Sequence, residues 1–144
     1  MNIAVDFDGT IVTNRYPDIG TEQPFAVETL RMLQQKHHHN IILWTVREGE
    51  TLEQAVKWCR ERGLEFYAVN RDYPEETLES NNHYSRKLKV DIFIDDRNIG
   101  GLPDWGTIYE IITKGRSWTG IMRERFKSST QQQDRPRKRR WWEI

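Results

Sequence analysis

Two short apolar runs in this chain each end in a pair of carboxylates, and that repetition limits the fold more than any other feature. The first, Ile3-Ala4-Val5-Asp6-Phe7-Asp8-Gly9-Thr10, delivers two acids one residue apart into a glycine turn. The second, Val90-Asp91-Ile92-Phe93-Ile94-Asp95-Asp96, ends in adjacent acids before Arg97-Asn98-Ile99-Gly100-Gly101. Alternate residues of a strand share a face, so Asp6 and Asp8 are expected to point into one cleft. Parallel strands of an open α/β sheet present their carboxyl ends to a common crevice, which lets four acids converge. Carboxylates this close repel each other and cost desolvation unless a cation or a proton relieves the charge. The pattern therefore predicts a metal. A hard divalent ion of the Mg²⁺ type takes oxygen ligands and keeps several waters, so two or three carboxylates plus a substrate phosphate oxygen suit it. Alone, the first pair equally fits a surface Asp-x-Asp-Gly turn; the second cluster is what favours a site. Gly9 permits the sharp turn, and the Thr10 hydroxyl can bond backbone groups within it.

Between the acidic ends the chain alternates strand and helix. Strand one is expected over 2–7, followed at 10–23 by a loop or small hairpin reaching over the crevice, where Pro17 and Gly20 break regular structure. Pro24 suits the first turn of a helix running to about Lys36, with Phe25, Thr29, Leu30 and Leu33 at core spacing. The histidine run 37–39 reads as a solvated helix end, since three consecutive side chains point in different directions. Ile41-Ile42-Leu43-Trp44 forms strand two, ending at Thr45. A second helix spans 51–62, stopped by Gly63, with Leu52, Ala55, Val56 and Cys59 as its apolar stripe. Strand three is expected over 64–69, an irregular loop over 70–85, and strand four over 90–94. Pro103-Asp104-Trp105 starts a further helix, and 117–126 a short last one. This order implies a parallel sheet with right-handed crossovers.

At 144 residues the chain suits one domain, too short for a catalytic domain plus a substrate-covering one. Its net charge is zero, but from Lys127 onward six basic side chains face two acids, leaving +4 there and −4 on the rest. A catalytic domain over 1–126 and a basic, flexible tail over 127–144 are expected, because Ser, Gln, Pro and Arg dominate the tail. The single cysteine, Cys59, excludes an internal disulfide and fits a reducing compartment. Asp6 and Asp8 interrupt any initial apolar stretch, so neither a signal peptide nor a membrane span is expected, and a cytoplasmic location is.

With both acidic strand ends placed, the chain resembles the haloacid dehalogenase-like (HAD) superfamily of Mg²⁺-dependent phosphohydrolases. Asp6-Phe7-Asp8-Gly9-Thr10 matches its first motif, Asp-x-Asp-x-Thr, and Thr45 at the end of Ile41-Ile42-Leu43-Trp44 matches the second. Lys87 is the best candidate for the third-motif lysine, with Arg86 and Lys89 as competitors. Asp95-Asp96 matches the fourth. The first motif is the most specific; a lone Thr or Lys adds little, but the order of all four across residues 1–113 adds much. The short step from Lys87 to Asp95 is similar to that of 5'(3')-deoxyribonucleotidases. The whole pattern, with Tyr16-Pro17, Trp58-Cys59 and Gly100-Gly101-x-Pro103-Asp104-Trp105-Gly106, is similar to small bacterial HAD-like proteins without an established substrate.

The resemblance implies a Rossmann-like, HAD-type, three-layer α/β/α fold without a cap domain, since neither insertion space has room for one. It also implies a phosphatase in which Asp6 attacks phosphorus to form an aspartyl-phosphate and Asp8 acts as acid, then base. Dehalogenases lack an acid at the Asp8 position. Mg²⁺ would be held by Asp6, the Asp8 backbone carbonyl and Asp95, with Asp96 a further ligand. Thr45 and the amide of Val46 would bind phosphoryl oxygens, and Lys87 would offset charge. A carboxylate is a competent nucleophile towards phosphorus once a cation neutralises it, which agrees with these roles. Arg47, Arg71 and Arg97 follow strands on the crevice side and are candidate substrate contacts. The expected partner is a small phosphate ester such as a nucleotide, and a homo-oligomer is compatible with an open site. A different reading makes the chain a nucleic-acid-binding or scaffold protein that works through the basic, tryptophan-containing 135–142 segment.

Overall fold

The register of the sheet is what places the acidic residues. The computed structural model describes residues 1–80 and 85–133. Its elements run β1 (Asn2–Val5), α1 (Ala26–Gln35), β2 (Asn40–Leu43), α2 (Gly49–Glu61), β3 (Ala68–Val69), β4 (Ile92–Ile94), α3 (Trp105–Lys114) and α4 (Trp118–Gln133). The four strands form one parallel sheet in the order β3-β2-β1-β4. With its flanking helices this is the expected Rossmann-like three-layer α/β fold. Val5 is level with both Leu43 and Ile94. Asp6, Trp44 and Asp95 therefore leave the sheet at one height. The chain builds outward from β1 through β2 to β3, then crosses back to place β4 on the other side of β1. The reversal lies between β1 and β4, where open α/β sheets hold their ligands.

Strands buried on both faces need continuous apolar runs, and these have them: Ile3, Ala4 and Val5 of β1 and Ile41, Ile42 and Leu43 of β2 are all buried. On one face the cross-strand neighbours Ala4, Ile42 and Ala68 pack with Leu88, joined by Trp44, Val90 and Phe93. The stop expected at Gly63 is a Schellman motif. Gly63 has φ +77°, Leu64 N donates to Cys59 O at 3.0 Å, and Gly63 N donates to Arg60 O at 2.9 Å. Cys59 is buried in the core as its helical spacing requires.

Several expectations shift. Phe25 is not a core residue: it sits in the left-handed region at φ 66°, just before α1, and is 68% exposed. The core face of α1 is taken by Ala26, Val27, Thr29, Leu30 and Leu33 instead. Strand three shrinks to two residues. Its flanking amides tie it to β2, Tyr67 N donating to Ile41 O and Asn70 N to Leu43 O, each at 2.8 Å. The segment after β1 is the small hairpin, with Thr13 N donating to Thr21 O and Gln23 N to Ile11 O, each at 2.8 Å. In the histidine run His38 is exposed as expected, whereas His37 and His39 are half-buried and His37 Nε2 lies 2.9 Å from the Tyr109 hydroxyl.

The described residues fall into two compact units, divided between Tyr109 and Glu110. In the second, Arg116 pairs with Glu110 at 3.6 Å and with Glu124. Helix α4 continues past the domain boundary expected at residue 126. Most of the proposed tail, including the 135–142 segment, lies outside the described residues. Among those described, no extra domain is inserted after β1 or β2, and no helix is long and apolar enough to cross a membrane.

Candidate active site

At the carboxyl ends of β1 and β4, Asp6, Asp95 and Asp96 bring carboxylate oxygens within 4.8 Å of one another, each residue half-buried. Thr10 holds the arrangement from below. Its buried hydroxyl oxygen accepts the Asp96 N–H at 3.0 Å and lies 3.3 Å from Asp96 Oδ1 and 3.5 Å from Asp6 Oδ2. The Thr10 carbonyl in turn accepts the indole N–H of Trp105 at 3.3 Å. Gly9 is required by contact as well as by conformation: its φ is +88°, and a Cβ there would lie 2.7 Å from Asp96 Cγ. The Arg97 N–H caps Asp95 Oδ1 at 2.8 Å.

Three carboxylates without a cation among them carry an electrostatic cost. Burial above all pushes the Asp6 carboxyl up to about 7 from 3.8; a hydrogen bond from the Phe7 backbone opposes this, and repulsion by Asp95, Asp96 and Asp8 adds to it. An all-oxygen, acidic donor set of this kind fits a hard divalent ion and offers nothing to a soft one.

A small cleft of about 90 Å³ is lined by Asp6, Asp8, Trp44, Thr45, Val46, Asp95 and Arg97. Thr45 is positioned by its neighbours. Its N–H donates to Asn70 Oδ1 at 2.8 Å, from the end of β3, and its hydroxyl oxygen accepts the Arg47 N–H at 3.1 Å. Val46 is 85% exposed at the rim. Trp44 packs on Phe93 with ring centroids 4.9 Å apart.

Two expected site residues are placed elsewhere. Arg47 does not reach the substrate side: it is 1% exposed and spends its guanidinium inside the protein. Nε donates to Asp8 Oδ2 at 2.6 Å and Nη2 to Asp8 Oδ1 at 2.7 Å; the other donors go to the carbonyls of Pro17, Asp18 and Thr51. The Asp8 hydrogen bonds raise the Arg47 pKa further, against the effect of burial. Lys87 does not line the Asp6 cleft. Its Nζ lies 5.8 Å from the Phe93 ring centroid, and it borders a separate cleft with Asn2, Tyr67, Lys89 and Asp91 beside the amino ends of the strands. Arg71 is exposed and donates to the Pro74 carbonyl. Of the three candidate arginines, Arg97 is the one that lines the cleft.

Sequence reading alone gave Thr10 only a role in its own turn and assigned nothing to Asn70. The first motif contained the Thr10 signal; Asn70, reached from another strand, left none.

No family model matches the chain. A Bacillus cereus protein named "Putative nucleotidase" is 35% identical over 74 residues, which make up 51% of this chain and 38% of that protein. The chain thus matches well under half of that relative's length. A solved structure of a conserved protein from Bacteroides thetaiotaomicron superposes with a TM-score of 0.78 at 64% identity, covering 84% of this chain and 96% of that one.

Proposed function

We infer that this chain, which belongs to the family of the conserved Bacteroides thetaiotaomicron protein, is a Mg²⁺-dependent phosphomonoesterase of the HAD type acting on a nucleotide or other small phosphate ester. The observation that carries this reading is the convergence of Asp6, Asp95 and Asp96 at the β1/β4 switch point, with Asp8 and Thr45 lining the same cleft. Similarity to a protein named as a nucleotidase supports it.

Asp6, Asp95 and Asp96 would hold a divalent ion, which would neutralise charge on the carboxylates and on the phosphoryl oxygens. Asp6 attacks phosphorus; as its oxygen–phosphorus bond forms, the bond to the leaving oxygen breaks, and Asp8 gives that oxygen a proton. Asp8 then takes a proton from water, whose oxygen attacks phosphorus and frees Asp6 and inorganic phosphate. The Thr45 hydroxyl, already accepting from the Arg47 amide, keeps its own proton for a phosphoryl oxygen. Arg97 supplies a cation at the rim.

The cleft is far smaller than the roughly 300–1,000 Å³ that encloses a drug-sized ligand, so it holds the phosphoryl end and leaves the rest of the ester outside. The test is phosphate release from 4-nitrophenyl phosphate and a panel of nucleoside monophosphates, with Mg²⁺ or with chelator. Wild type should release phosphate only with Mg²⁺, and Asp6→Asn should fall to background. A wild type inactive across the panel, or an active Asp6→Asn protein, overturns the reading.

A further inference from the structure

The Arg47 guanidinium is heavily bonded, and nothing in the proposed chemistry uses it. Its side chain is fully buried, yet the Asp8 carboxylate to which it is forked retains 12% exposure and lines the cleft. One guanidinium makes five hydrogen bonds: two to Asp8, and one each to the carbonyls of Pro17, Asp18 and Thr51. Its flat faces are also used, with Phe7 at 5.1 Å and Tyr16 at 5.3 Å from the guanidinium carbon. The group therefore ties three segments together: the end of β1, the hairpin that follows it, and the start of α2.

We propose that Arg47 is a positioning residue that fixes the carboxylate of Asp8 towards the leaving-group oxygen and anchors the 16–18 hairpin beside it. This rests on the phosphatase reading. A carboxylate on a free side chain samples several rotamers, whereas a bidentate fork fixes both oxygens and the plane between them. Lysine keeps the charge but cannot reproduce the fork, so Arg47→Lys separates geometry from charge.

The leaving group supplies a readout that a merely structural role does not move. Departure of 4-nitrophenolate needs little protonation, while departure of an alkoxide needs much. The experiment measures, for the full chain with Mg²⁺, the single-turnover rate at which the alcohol or phenol is released, ahead of the water step that all esters share, on 4-nitrophenyl phosphate, phenyl phosphate and a nucleoside 5'-monophosphate. In Arg47→Lys, that rate on the nucleotide should fall by about 100-fold, the scale of a positioned general acid. The loss on 4-nitrophenyl phosphate should stay within about threefold, with half-saturation changed little for either. In an Asp8→Asn background, Arg47→Lys should add no further loss, because both changes remove the same contribution.

A uniform loss of the release rate across leaving groups, additive losses in the double variant, or weaker half-saturation at an unchanged release rate overturns the proposal while leaving the phosphatase reading in place. A wild type inactive on all three esters removes both. Should the lysine variant fail to fold, the wild type still decides. The Arg47 Nε–H should exchange slowly with solvent, and its NMR signal should shift on Asp8→Asn; rapid exchange refutes the fork.

Discussion

Replacing Asp6 by asparagine should stabilise the metal-free protein, although the same change abolishes the proposed activity. Asp6 is half-buried within reach of Asp95 and Asp96, and its carboxyl is pushed from 3.8 to about 7, chiefly by burial. Between these two values the folded state holds a proton that the unfolded state has lost, so stability falls as pH rises through that window and levels off above about 7. At about 1.4 kcal/mol per pH unit, the full rise corresponds to at most about 4 kcal/mol. Partial exposure screens the charge and reduces this to about 2 kcal/mol. Asparagine has the shape without the charge and removes the cost. In chelator at pH 8, Asp6→Asn should therefore melt roughly 4–8 °C above wild type, and most of that gain should be gone at pH 4.5. Thermal unfolding followed by circular dichroism at both pH values makes the comparison. Adding Mg²⁺ at pH 8 should raise the wild-type midpoint and raise that of the variant far less, since a ligand stabilises only the state that binds it. An Asp6→Asn protein no more stable than wild type at pH 8, or a gain independent of pH, refutes the account of Asp6 as a buried, repelled carboxylate.

Gly9→Ala should cost about 1–3 kcal/mol in denaturant unfolding, because φ is +88° and the new Cβ presses on Asp96. It should also weaken Mg²⁺ binding measured by calorimetry. Arg97→Ala should raise KM for phosphate esters several-fold with little change in kcat, as expected for a rim cation that binds ground and transition states alike. Cys59 is buried and its thiol is pushed up to about 12, mainly by burial. It should resist a thiol reagent at pH 8 and react only after unfolding, whereas rapid labelling of the native protein would contradict its core placement.

The acidic centre was legible because the information is local. Asp6 and Asp95 each follow an apolar run, and such runs become adjacent parallel strands whose ends are level. Arg47 was misread for the opposite reason. An arginine just after a strand at the crevice looks like a substrate contact, and nothing local shows that Asp8, 39 positions away, will take its fork. Lys87 illustrates a related limit: chain order and spacing matched a motif, but where a long side chain goes depends on neighbours such as Phe93. Phe25 fitted a helical stripe until a left-handed residue delayed the helix start.

By itself, the sequence determined the alternation of strands and helices, the parallel sheet and the approach of acids from both strand ends; it predicted four converging carboxylates, of which Asp6, Asp95 and Asp96 cluster while that of Asp8 is forked to Arg47. These follow from hydrophobic patterning and chain direction, which act over a few residues at a time. The tertiary structure alone decided which cation faces the cleft and which is buried, that Thr10 links the ends of β1 and β4, and that Asn70 caps Thr45. Those outcomes depend on rotamers and on hydrogen-bond partners from distant segments, and only packing brings such groups within 3 Å.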